Sequence, residues 1–228
     1  MTLRRSRLIC SLGLCALGLC TLLLLHGCAT TDRQELYVVR PQDTLYSIAW
    51  RYGLDFRELA RWNNIGADFR ITVGQALILA PRSPGAAATR PLPSKLSKAQ
   101  PHPVQAVTGL TWSWPTDRSG VPRPVPGGGI LLSGRLGQEV RAASAGRVVY
   151  TGSGIRGYGN LIIIKHGENL LSAYAHNRES LVHDGQEVTR GEVIGHMGEG
   201  APAKPVLYFE IRRNGKPVDP LSFLPDIK

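Results

Sequence analysis

The sequence predicts two unlike domains: a small βααβ module over residues 36–80 and an all-β domain over residues 111–228, joined by a Pro-rich linker over 81–110. Three observations predict this division. Within the first 80 residues, apolar positions recur twice at helical spacing between two short β-branched runs. Prolines at 81, 84, 91, 93, 101 and 103, separated by Ala, Ser and Thr, then erase any apolar periodicity. From Trp112 onward, short β-branched runs alternate with Gly turns, and none keeps helical periodicity over a dozen residues.

The chain begins with a targeting pattern. Arg4, Arg5 and Arg7 precede an uncharged apolar stretch, Leu8 to Leu25, the layout of a secretory signal. Its length approaches that of a membrane span, so an uncleaved signal anchor is the alternative. Leu25-His26-Gly27-Cys28 resembles a bacterial lipoprotein lipobox, with His26 where a small residue is usual. The resemblance implies removal of residues 1–27, lipidation of Cys28, and anchoring by acyl chains whose buried methylenes each add about 0.8 kcal/mol. Ala29 stands where an Asp would imply inner-membrane retention. The expected location is therefore the periplasmic face of the outer membrane.

The net charge of +10 favours acidic partners without choosing among them. Arg82, Arg90, Lys95 and Lys98 put much of it on the linker, which has no acid. A basic tether on an exported protein argues against nucleic acid. Cys10, Cys15, Cys20 and Cys28 are the only cysteines, which excludes a disulfide scaffold and a Cys-ligated zinc site in the body of the chain.

In the module, Leu36 to Val39 reads as a strand, and Asp43 or Thr44 can cap a helix with Leu45, Ile48, Ala49 and Tyr52 on one face. Gly53 ends that helix. Asp55 and Glu58 have capping-box spacing ahead of a helix through Phe56, Leu59 and Ala60. Ala76 to Leu79 is the second strand, entered from a turn at Gly74. Tyr37-Val38-Val39, Asp43-Thr44-Leu45, Ile48-Ala49, Tyr52-Gly53, Leu59, Asn63, Ile65, Ile71, Gly74-Gln75 and Leu77 resemble the LysM module. That resemblance implies binding of peptidoglycan glycan strands in a groove between two loops, here Asp43, Thr44, Leu45 and Asn63, Asn64, Ile65. Read from the residues alone, Thr44 and Asn63 serve equally as helix caps and turn closers.

In the second domain, strands are expected at Arg147–Tyr150, Asn160–Lys165, Leu170–His176, Val193–Met197 and Leu207–Arg212, with a hairpin across Gly167-Glu168. Gly152 to Gly157 spells G-x-G-x-x-G, but a strand follows where a dinucleotide site needs a helix, so no cofactor is expected. Trp114-Pro115, Ala145 to Tyr150, Gly157 to Asn160, Lys165-His166-Gly167, Tyr174-Ala175-His176, Gly191 to Ile194, Phe209 to Arg212 and Pro220 to Pro225 resemble the lysostaphin-type (LytM, M23) zinc peptidases, especially the NlpD/EnvC subgroup. In that pattern the zinc ligands fall at Gly127, Leu131 and Tyr208, with Val206 at the other motif position, so no metal is expected. His176 occupies the place of a vestigial catalytic His. His166, His176, His183 and His196 read as solvated or hydrogen-bonded loop histidines, and Glu210 as a residue orienting loops.

The resemblance implies a non-catalytic regulator of the cell wall: a peptidoglycan-binding lipoprotein that activates a periplasmic N-acetylmuramoyl-L-alanine amidase in septal splitting. The expected partner groove comprises Leu131, Tyr158, His176, Tyr208 and Arg212. Plain core packing is the competing account of Leu131 and Val206. The alternatives are a wall-binding scaffold with no amidase partner and an active endopeptidase.

Overall fold

Alternation and capping build the first domain. In β1 (Leu36–Val38), Tyr37 turns inward while Leu36 and Val38 face solvent. Tyr37 lies opposite Leu77 of the antiparallel β2 (Ala76–Ile78). Between them run α1 (Leu45–Tyr52) and α2 (Phe56–Trp62). The Thr44 hydroxyl accepts from the Ser47 amide, and the Ser47 hydroxyl accepts from the Thr44 amide, so α1 opens with a reciprocal box. Asp55 caps α2 by accepting from the Arg57 amide, while Glu58 pairs with Arg61. The box expected at Asp55 and Glu58 is thus realised one helix earlier, with Ser as its third residue. Gly53, at φ 67°, ends α1 in the left-handed conformation.

The computed structural model describes residues 35–80, 110–117, 120–200 and 203–226. The lipobox, Cys28 and linker residues 81–109 lie outside these. The two domains share a buried apolar cluster.

The second domain is antiparallel throughout. Its strands are β3 (Arg123–Pro124), β4 (Ile130–Ser133), β5 (Glu139–Arg141), β6 (Gly146–Gly152), β7 (Asn160–His166), β8 (Leu170–Ser180), β9 (Glu187–Val188), β10 (Val193–Met197), β11 (Glu199–Gly200), β12 (Lys204–Arg213) and β13 (Lys216–Val218). The main order is β3-β4-β12-β8-β7-β6-β9, with β5 and β10 paired and β10 joined to β8. The expected all-β character holds, apart from a 3₁₀ turn at Pro220–Ser222.

Both faces of the central strands are covered. Ile162, Ile164, Tyr174, Phe209 and Ile211 pack with Val140, Val148 and Ile194 on one side. On the other side, Leu161, Ile163, Ala173 and Ala175 join a cluster that continues through Tyr150 into Trp50, Ile48 and Leu45 of the first domain. This accounts for the unbroken apolar run Leu161-Ile162-Ile163-Ile164, since a strand covered twice needs no polar face. It also corrects the expected helix face. Tyr52 is 39% exposed, whereas Trp50, off the predicted stripe, is 3% exposed.

His166 is corrected as well. It ends β7 inside the fold, 1% exposed, between the Ala145 carbonyl and the Ser172 hydroxyl at 2.7 Å each. Burial pushes its pKa down to about 4, against the backbone hydrogen bond that raises it. Between pH 6.5 and 4 the unfolded chain takes a proton here that the folded chain refuses, so stability is full above 6.5 and falls on acidification. The expected loss across this window is about 3 kcal/mol. Urea unfolding at stepped pH should show that fall in the wild type and a smaller one in His166→Gln; parallel curves would refute the assignment.

Candidate functional site

The residues expected to meet glycan are largely committed to the fold. Asp43 accepts from the Arg40 amide, the Tyr37 hydroxyl and the Arg51 guanidinium, and its side chain is 6% exposed. Thr44 is the helix cap. Leu45 is fully buried in the core, which corrects its expected place on the ligand surface. Asn63 donates to the Leu59 and Ile78 carbonyls and accepts from the Ile78 amide, stitching the end of α2 to β2. Asn64 is exposed at φ 53°, and Ile65 packs half-buried on the module core. Asn63 and Asn64 border a hollow of about 430 Å³ with Trp62, Ala76 and Ile78, and the Asp43–Leu45 segment does not line it. Sequence reading missed Trp62; an aromatic ending a helix beside Asn-Asn was the signal.

The second candidate surface sits on β4, β12 and β8. Leu131 lies opposite Tyr208, which lies opposite Ala175 on its other side. The Tyr208 ring rests against Gly129, where a Cβ would come within 2.5 Å of it. Tyr158 meets Tyr208 edge-on at 5.6 Å and His176 does so at 6.3 Å. The structure thus gathers Leu131, Tyr158, His176 and Tyr208, while Val206 is buried. His176 holds a left-handed φ of 64°, and burial lowers its pKa.

Beneath them is a buried carboxylate. Glu210, 1% exposed, accepts from the Tyr208 hydroxyl at 2.6 Å and from Arg212 Nε at 2.7 Å. It therefore ties together neighbours on its own strand and does not orient loops. Burial first, and then the Glu210 charge, hold the Tyr208 hydroxyl far above its ordinary pKa. A zinc ion does not fit these residues. Gly127 has no side chain, Leu131 is apolar, and the Tyr208 hydroxyl is protonated and spent on Glu210. Among the described residues, no three His, Cys, Asp or Glu side chains gather.

Arg212 borders a hollow of about 610 Å³ together with Tyr158, Trp50 and Arg51. It is 8% exposed, its guanidinium stacks 3.7 Å from the Trp50 ring centroid, and it donates to the Trp50 carbonyl at 2.7 Å. Trp50 also meets Tyr158 edge-on at 6.4 Å. A desolvated cation–π pair of this kind is worth about 2 kcal/mol.

Family models match this chain over residues 37–80 (LysM domain) and 126–220 (Peptidase family M23). It is 43% identical to the lipoprotein NlpD/LppB homolog of Pseudomonas aeruginosa, over 83% of this chain and 76% of the relative. The chain belongs to the NlpD/LppB lipoprotein family. The uncharacterized lipoprotein YgeR of Escherichia coli K12 is 37% identical over 89% of each chain. The murein hydrolase activator NlpD of Salmonella typhimurium is 36% identical over 83% of this chain and 68% of its own length. These relatives carry names of lipoproteins and an activator, not of hydrolases.

Asn63 allows a test of structural against ligand roles. Asn63→Ala removes three hydrogen bonds and strands the Ile78 amide. It should lower the module's stability by about 1–3 kcal/mol in denaturant unfolding without any glycan present. Unchanged stability would assign Asn63 to ligand binding alone.

Proposed function

We propose that this NlpD-family chain is an outer-membrane lipoprotein, anchored through Cys28, that binds peptidoglycan and activates an N-acetylmuramoyl-L-alanine amidase without cutting the wall itself. The observation that carries the reading is the filled centre. Tyr208 stands at a zinc-ligand position of the resembling peptidases with its hydroxyl locked on Glu210. Water not held by a metal keeps its high bulk pKa, so it supplies no hydroxide at neutral pH. What the surface offers instead is an aromatic and apolar floor of Leu131, Tyr158, His176 and Tyr208, suited to a helix or loop of a partner. Activation follows if that surface binds the amidase's open state more tightly than its closed one. The name of the Salmonella relative, a murein hydrolase activator, supports this role, and the LysM match supports the wall-binding half.

The test is dye release from labelled peptidoglycan by purified residues 29–228, alone and with a periplasmic amidase that is weak by itself. Release only in the mixture is expected, and Tyr208→Ala should abolish it. Release by this chain alone, lost on chelation, would overturn the non-catalytic assignment. Silence with every amidase would favour a wall-binding scaffold.

A further inference from the structure

We infer that the LysM domain of this chain plugs its own partner groove, so that the amidase and the LysM helix compete for one surface. The inference rests on the activator reading above and adds its regulation.

Five contacts define the plug. Trp50 of α1 lies under the Arg212 guanidinium and against the edge of Tyr158, so two of the five residues expected to receive a partner already receive the LysM domain. The Trp50 carbonyl accepts from Arg212, which satisfies a cation that is otherwise buried beside Glu210. Arg57, in the first turn of α2, donates to the Asn214 side chain at 2.7 Å. Arg51 reaches the Gly154 carbonyl at 3.4 Å.

The receiving surface is shaped for this occupant. Asn214 and Gly215 turn from β12 into β13 with positive φ at both positions, 52° and 74°, as a tight hairpin turn requires. A Cβ on Gly215 would lie 2.4 Å from the Leu54 carbonyl group and 2.5 Å from the Asp55 nitrogen. The backbone that links α1 to α2 therefore passes directly over the bare Cα of this turn. No other residue type allows so close an approach there.

Trp50 lies off the helix face of Leu45, Ile48 and Ala49, is 3% exposed, and meets Arg212 and Tyr158 of the second domain. An exposed Trp is costly in water, and Arg212 and Tyr158 are what cover it here. A partner that needs Tyr158 and Arg212 must displace Trp50 first. Its apparent affinity is then reduced by the fraction of molecules in which the plug is out.

The experiment uses full mature chain, residues 29–228, as wild type, Arg57→Glu, Gly215→Ala and the double variant. Arg57→Glu places an acid in the first turn of α2, where the helix dipole favours it. It sets that acid against the Asn214 oxygen, so it opens the interface without removing a buried group. Gly215→Ala opens it from the other side by backbone collision. Small-angle scattering should find the wild type docked and monomeric and the double variant extended, with circular dichroism unchanged. In the dye-release assay, the amidase should then need about tenfold less of the double variant for half-maximal activation if about nine molecules in ten are docked. A wild type already extended in solution, or an opened variant that activates no better than wild type, would overturn the plug. Docking found only as a concentration-dependent dimer would overturn its intramolecular form. If scattering separates docked from open but no protein activates any amidase, the activator reading falls and the docked contact stands.

Discussion

The Glu210 carboxylate organises this molecule. It is buried to 1% exposure on β12 and engages the two side chains that flank it on the same face, Tyr208 and Arg212. A buried carboxylate must be paired, and removing its cation would cost about 3–5 kcal/mol. Arg212 is therefore obligatory. Once fixed by Glu210, its guanidinium has one plane and one remaining edge to offer. The plane goes to the Trp50 ring and the edge to the Trp50 carbonyl. On the other side, the same carboxylate pins the Tyr208 hydroxyl and lays its ring over Gly129. One charge thus holds the Tyr208 ring in place and secures the contact between the domains.

The sheet supplies the platform. Alternation along β7, β8 and β12 sends Ile162, Ile164, Tyr174, Phe209 and Ile211 into the domain's own core. It sends Leu161, Ile163, Ala173 and Ala175 to the opposite face, in the cluster shared with α1. A sheet with two apolar faces needs two covers, and the LysM domain contributes to the second. Proposed partner binding then becomes an exchange of covers, which avoids exposing an apolar face to water.

Residue spacing explains which expectations held. Leu45, Ile48 and Ala49 are buried as their helical spacing requires, and Gly53 ends α1 in a left-handed turn. The strands around the Gly167-Glu168 hairpin pair antiparallel as expected. Thr44 and Asn63, for which capping and ligand roles were both open, are found capping α1 and binding α2 to β2. Leu45 faces the core and not a ligand, because a motif position says nothing about which way its side chain turns. His166 lies inside the fold because the strand runs one residue further than its β-branched segment.

The sequence by itself determined the two domain types and their order. Both rest on local spacing and on residue chemistry, which need no knowledge of distant neighbours. Only the tertiary structure decided where Trp50 and Arg212 go. They lie 162 positions apart, on different domains, and each has an ordinary local reading: an off-stripe aromatic and a surface cation. Their meeting follows from a buried carboxylate demanding a cation and an apolar sheet face demanding a cover, and those demands arise only once β12, β8 and α1 are assembled.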